Sequence, residues 1–256
     1  MPSNQDLPVQ ATQTSYEIIT TLLDVDGAGV TEIATEIGKS KSSVHSHLET
    51  LVGLGLVDKQ HTEYRVSLDW LQIGAVTLRN RPIYQIGVPE VIHLSEASGC
   101  STGLAVLKND TITILYHRYA ADIDTPDRIA GDTAPLHCTA AGKSIFASLS
   151  SARQEEILED YQFIGGTDAA HTTQSALQAE VETIQSQGIA IDREEWHPDQ
   201  AGLATSINVE ETDHPAAIYI RTKAADIGGK RFQQDLPGLL ISSANQIRTA
   251  LHDRSS

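Results

Sequence analysis

The stretch Thr31–Gly53, TEIATEIGKSKSSVHSHLETLVG, decides how this chain reads. Ile33, Ala34 and Ile37 share one face of a helix predicted over Thr31–Ile37, with Thr31 as its cap and Gly38 as its stop. Ser40 is placed to cap a second helix, Ser40–Gly53, in which Val44, Leu48, Leu51 and Val52 recur at helical spacing and form one buried stripe. Its opposite face carries Ser42, Ser43 and Ser46, flanked by His45, His47 and Glu49. Upstream, Thr14–Leu23 sets Ile18, Ile19, Leu22 and Leu23 in helical register before Asp26, Gly27, Ala28 and Gly29 break the pattern. Downstream, Leu56–Lys59 and Tyr64–Ser67 read as a two-stranded ribbon around the polar tip Gln60–Glu63. Three short helices followed by a ribbon make a winged helix-turn-helix.

A helix that enters the major groove needs short hydroxyls, imidazoles or amides near its first turns, where backbone N–H groups also hold a phosphate. Ser40, Lys41, Ser42, Ser43, His45, Ser46 and His47 supply such groups. Arg65, with His61, is placed on the wing to reach a phosphate or the minor groove. Two alternatives stay open: a solvated serine-rich face used for protein contacts, and an Arg65 paired with Glu63. Locally the charge is favourable, because Lys39, Lys41, Lys59 and Arg65 face only Glu49, Asp58 and Glu63 between Gly38 and Val66. Globally it is not. The formal charge of the 256-residue chain is -16, which excludes recognising a nucleic-acid binder from composition. The acids are scattered from Asp6 to Asp253 with no acidic tail, as in a salt-adapted surface, with an acidic interaction face as the alternative.

Two cysteines, Cys100 and Cys138, with no C-x-x-C pair, argue against a disulfide scaffold or a structural zinc. The polar start Met1–Gln10 and the lack of long apolar runs predict no leader, no membrane span and a cytoplasmic protein. The organisation expected is a flexible tail over 1–12, a winged helix-turn-helix over 13–68, a linker helix over 69–86 interrupted by Pro82, and a sensory domain over 87–256. In that last part, helices are predicted over Val88–Ser98, Ala140–Leu149, Ala152–Tyr161, Ala176–Gln187 and at the C-terminus. Strands are predicted over Ser101–Leu107, Thr111–His117, Ile189–Asp192, Leu203–Val209 and Ala216–Arg221, with a long loop over Ala120–Pro135. The fold class is α+β.

Thr139-Ala-Ala-Gly-Lys143 opens a helix with small residues, leaving backbone N–H groups open to a small anion; close helix-to-sheet packing favours the same residues. A phosphate loop is excluded, since the glycine it requires five positions before Gly142 is His137. His117, His137, Cys138 and Asp192 offer metal-ligand chemistry without metal-ligand spacing, so no metal and no cofactor is expected. Cys138 beside His137 lacks an orienting partner, so no catalytic set is assigned.

Thr31–Gly38, Lys41-Ser-Ser-Val-His45, Leu48–Val57 and Tyr64-Arg-Val66 resemble the DNA-binding domain of the IclR family of transcriptional regulators. Pro135–Ser144 and Gly188–Glu195 resemble that family's central helix-start and acidic strand-end motifs. The resemblance implies a GAF-like C-terminal domain, double-stranded operator DNA as one partner, and a small organic acid or sugar-derived metabolite as effector. It also implies a homodimer or dimer of dimers, with Tyr16, Ile19, Leu78 and Ile86 as candidate contacts or, alternatively, as core. Carried over by position, the effector site comprises Ala134, the N–H groups of Ala140 and Ala141, and Asp192, Thr205, Tyr219 and Arg221. Family members that bind small keto acids carry serines at the positions of Tyr219 and Arg221 and a cysteine at that of Thr205. If Arg221 points inward it clamps a carboxylate, with Tyr219 against a ring-like or polyhydroxy acid; otherwise it pairs with Asp192 or Glu194. On the recognition helix, Ser46 and His47 stand where the family often has Arg and an apolar residue. A metabolite-binding enzyme with an appended winged-helix oligomerisation module is the alternative.

Overall fold

Ile18, Ile33, Val44 and Leu48, all fully buried, are the centre around which the first part of the chain folds. They come from three helices: α1 (Gln10–Val25), α2 (Val30–Glu36) and α3 (Lys41–Gly53). At about 1.5–3 kcal/mol for each buried aliphatic side chain, this cluster outweighs any single cap or turn. Leu48→Ala would therefore be the most damaging truncation on α3, costing about 2–5 kcal/mol.

The computed structural model describes residues 7–120, 129–208 and 214–255. The first six residues of the expected tail lie outside that range, as do half of the expected loop, residues 121–128, and Val209. Helix α1 begins at Gln10, inside the span 1–12 expected to be a flexible tail. Ser40 caps α3 through its Oγ, which accepts from Ser43 N–H at 3.2 Å. Thr31 is not a cap: α2 starts one residue earlier, where the Glu32 carboxylate accepts from Gly29 N–H at 2.8 Å. The residues read as a mere break supply a strand, β1 (Ala28–Gly29), alongside β2 (Val57–Gln60) and β3 (Glu63–Val66), in the order β1-β3-β2.

The chain divides into two units, Met1–Thr77 and Leu78–Ser256. The division falls near the end of α4 (Asp69–Arg79), an apolar helix with no buried residue. Its start is tied to the first unit by Trp70, whose Nε1–H donates to the Leu56 carbonyl at 2.9 Å. Helix α5 (Pro82–Ser98) begins earlier than predicted. Pro82 both ends the preceding pattern and opens this helix, where a missing N–H costs nothing. Ile83 and Ile86 consequently belong to the second unit's core rather than to a linker.

That unit is built on one antiparallel sheet of β4 (Ser101–Lys108), β5 (Thr111–Arg118), β6 (Thr133–Ala134), β7 (Ala190–Arg193), β8 (Gln200–Ile207) and β9 (Ala216–Lys223). The strand order is β6-β5-β4-β9-β8-β7. Strand alternation sorts its side chains onto two faces. Leu104, Val106, Leu203, Ile218 and Ile220 pack with α5 and with α9 (Leu236–Ser255). Ala105, Ala204, Ala217 and Tyr219 pack with α6 (Ala140–Ser148), α7 (Ser151–Asp160) and α8 (Gln174–Gln187). The small residues on this second face let α6 approach closely. At Gly142 a Cβ would stand 2.3 Å from the Leu136 carbonyl oxygen, so packing alone requires that glycine.

Candidate functional site

On α3, Lys41, Ser42, His45 and Ser46 are exposed, with Ser43 and His47 half-buried. The Ser42 hydroxyl lies 3.1 Å from that of Ser40, and Ser46 Oγ donates to the Ser42 carbonyl. His45 Nε2 is 3.7 Å from Glu49, a surface pair worth little that a phosphate or base edge readily displaces. His47 is different: its Nδ1 lies 2.9 Å from Ser15 Oγ, which turns it toward α1 and away from the exposed face. On the wing, Arg65 lies 3.8 Å from Asp26 and 3.7 Å from Glu63, and lies against Gly27, where a Cβ would meet its Nε at 2.9 Å. It is thus held by acids in this structure, Glu63 among them.

The second site is a small cleft on the face of the sheet under the start of α6, with a cavity volume of about 40 Å³ and a mouth open to solvent. Ala134, Ala140, Ala141, Asp192, Tyr219 and Arg221 all line it. Thr205 does not. It lies on the opposite parity of β8 from Gly202 and Ala204, and its Oγ1 donates to the Gly188 carbonyl at 2.8 Å. The cleft also takes in Thr139, from the helix start read as an anion site, and residues that the sequence did not assign to it: Trp196, His197 and Gln200, with Ala105, Ile112 and Ile114 as its apolar floor. Sheet parity, once the register is known, identifies Gly202 and Ala105; nothing local in sequence marks Gln200.

Thr139 caps α6, its Oγ1 accepting from Gly142 N–H at 3.1 Å, while Lys143 N–H is taken by the Thr139 carbonyl. The N–H groups of Ala140 and Ala141 therefore remain outside the helix's own bonding, at its positive end, and both residues line the cleft. Arg221 also lines the cleft, where one of its Nη atoms donates to Oε1 of Gln200, another lining residue. Tyr219 Oη is 2.8 Å from His117 Nδ1, and the two rings stack at 5.7 Å. Burial pushes the Asp192 carboxyl up to about 6, against the opposing pull of the Glu195 N–H donated to it at 2.8 Å. The arrangement offers an anion two kinds of donor, an aromatic surface, and a carboxyl that titrates near neutrality.

The residues considered for metal or nucleophilic chemistry do not assemble. His117 is engaged by Tyr219, and His137 by Tyr161 Oη at 2.9 Å. Burial, then Asp192 and Glu195, push the Cys138 thiol up to about 12, which leaves no thiolate for attack. Among the described residues one group, His171, Glu180 and Glu195, brings ligand atoms within 4.8 Å of one another. The Lys143 ammonium stands among them, 2.8 Å from Glu180 and 2.6 Å from Glu195, and supplies the positive charge itself.

Two family descriptions match the chain: "Bacterial transcriptional regulator IclR C-terminal" over residues 75–249, and "IclR helix-turn-helix domain" over residues 17–61. A probable HTH-type transcriptional regulator ArcR of Halobacterium salinarum is 24% identical over 93% of this chain and 92% of its own length. The HTH-type transcriptional regulator XynR of Escherichia coli is 29% identical over 84% and 88%. Among solved structures, a putative transcriptional regulator from Rhodococcus sp. RHA1 superposes with a TM-score of 0.84 at 21% identity, over 96% of this chain and 99% of that one. An IclR homolog from Microbacterium hydrocarbonoxydans, complexed with 4-hydroxybenzoate, does so with a TM-score of 0.78 at 18% identity, over 96% and 100%.

Proposed function

Because the chain belongs to the IclR family of DNA-binding transcriptional regulators, we propose that α3 reads operator DNA while the cleft under α6 binds a small anionic metabolite that alters that reading. It is a regulator and not an enzyme, as its relatives are. In the groove, Ser42 and His45 contact base edges, Ser46 lies beside them, and Ser40, Lys41 and Ser43 contact phosphate at the helix start. Arg65 exchanges Asp26 and Glu63 for a phosphate, and His47 supports the helix from behind.

The single observation that carries the effector reading is that the start of α6 and Arg221 line one cleft. Both favour a carboxylate, and Tyr219 and Trp196 add aromatic surface. The complex of the Microbacterium homolog supports an aromatic acid; a sugar acid fits the same donors. The effector acts by binding one arrangement of a homodimer, or dimer of dimers, more tightly than another, and so changes the match to operator half-sites. The regulated genes are catabolic ones for that acid. No helix among the described residues is long and apolar enough to cross a membrane, which suits a cytoplasmic regulator. The charge of -16, together with the Halobacterium relative, supports a protein working in concentrated salt, where counterion release contributes little.

The test is a mobility-shift assay at high salt on the DNA upstream of the protein's own gene, titrated with 4-hydroxybenzoate, other aromatic acids and sugar acids. A specific shift modulated by one class of acid is expected; absence of any specific complex, or indifference to every acid, overturns the reading.

A further inference from the structure

We propose that Lys143 is a positioning residue of the effector cleft: its buried ammonium, clamped between Glu195 and Glu180, holds the turn Asp192–Trp196 in the shape that presents Asp192 and Trp196 to the ligand. The inference rests on the effector reading of the cleft and goes beyond it by naming what fixes the cleft's walls.

Lys143 is wholly buried, and its Nζ lies 2.6 Å from both oxygens of Glu195 and 2.8 Å from Glu180 Oε1. Glu180's other oxygen is held by His171 Nε2. Glu195 then organises the turn from within. Its Oε1 accepts from Arg193 N–H at 3.2 Å, its own N–H donates to Asp192 Oδ1 at 2.8 Å, and its carbonyl accepts from Thr167 N–H at 2.8 Å. Glu194, between them, is in the left-handed region at φ 61°, a conformation the surrounding bonds must enforce. Both walls of the cleft thus meet at one ammonium: α6, which carries the Ala140 and Ala141 N–H groups and Lys143 itself, and the turn that carries Asp192 and Trp196. A buried ion pair is a poor stabiliser, since desolvation offsets most of its attraction, and an apolar filling of equal volume does as well. What such a pair fixes is geometry, and here the geometry is that of the cleft.

The test uses the full chain. Its two tryptophans are Trp70 and Trp196, so in a Trp70→Phe background Trp196 alone reports on the cleft wall. Lys143→Met in that background is expected to raise acrylamide quenching of Trp196 about twofold and shift its emission to the red. The same variant is expected to bind the acid found in the operator screen about tenfold more weakly. Operator affinity without acid should stay at the Trp70→Phe value. A purely structural role lowers melting temperature and operator affinity together and leaves Trp196 quenching in the folded protein unchanged; that result overturns the proposal. If Lys143→Met does not fold, Glu195→Gln keeps the volume and the same quenching measurement decides. If no acid modulates operator binding, the effector reading fails, while the quenching comparison still judges the role of Lys143.

Discussion

Tyr219 lies across Gly103 so closely that a Cβ at position 103 would stand 2.3 Å from the tyrosine's Cζ and hydroxyl oxygen. The two are register partners on β9 and β4, and His117 on β5 is Gly103's partner on the other side. The missing side chain lets the phenol ring lie flat along the sheet and reach His117 Nδ1 at 2.8 Å. The aromatic surface that Tyr219 adds to the cleft is therefore a consequence of one glycine.

Gly103→Ala should displace the Tyr219 ring and break its bond to His117. Overpacking of this kind costs about 1–3 kcal/mol. Thermal unfolding should show that loss, and acid-dependent modulation of operator binding should weaken. Ligand response at the parent level in a folded Gly103→Ala protein contradicts a flat Tyr219 as part of the site.

The Asp192 carboxyl gives a pH dependence with a definite sign. Its value in the folded protein, about 6, lies above the ordinary 3.8, so folding favours the protonated form. Stability from this group is present in acid, is lost as the pH rises from about 4 to about 6, and leaves a constant penalty above. Asp192→Asn should therefore match the parent below pH 4 and exceed it by on the order of 2 kcal/mol at pH 7 and above. Parent affinity for an anionic acid should rise as the pH falls toward 6, because the neutral carboxyl no longer repels the ligand. Denaturation midpoints and acid affinity across that range check both halves.

How much of this was legible beforehand depended on whether the deciding contact was local. Ser40 capping α3 was visible, because a hydroxyl before a periodic apolar run is a short-range signal. The start of α2 was not: Glu32 reaches back to Gly29 and outcompetes Thr31, and both patterns look plausible in sequence. In the cleft, Tyr219 and Arg221 were reachable because they share one parity of β9, while Thr205 fails because β8 enters at Gln200 with the other parity facing inward. Gln200 and Trp196 became site residues only once β7 and β8 were paired, a relation that no local pattern encodes.

On α3, the structure separates two histidines that look equivalent in sequence. His45→Ala and Ser42→Ala should weaken specific operator binding, each by about 1–3 kcal/mol, with the melting temperature nearly unchanged. His47→Ala removes the contact with Ser15 instead and should lower stability by about 1 kcal/mol with a smaller change in specificity. Competition binding against non-specific DNA, read beside thermal melts, distinguishes them; equal specificity losses for His45 and His47 contradict this docking.

Helix α4 needs a cover. It is 11 residues long, and Trp70, Leu71, Ile73 and Val76 are exposed on it, Leu71 at 68%. Isolated helices of that length are marginal in water, because nucleation is costly and few bonds follow it. Trp70 anchors one end through Leu56, but nothing within the described chain buries the rest. In the homodimer proposed above, a second copy presenting the same helix would cover both surfaces at once, as a two-fold contact requires. Tyr16, considered for the same role, is 57% exposed on α1, whereas Leu78 and Ile86 pack against the core of the second unit. Leu71→Lys with Ile73→Lys should therefore leave each unit folded, since neither side chain is buried, yet convert the proposed homodimer to monomer in sedimentation. Losing simultaneous engagement of two half-sites should cost operator affinity about 100-fold or more. An unchanged sedimentation coefficient at micromolar protein rules out α4 as the dimer contact.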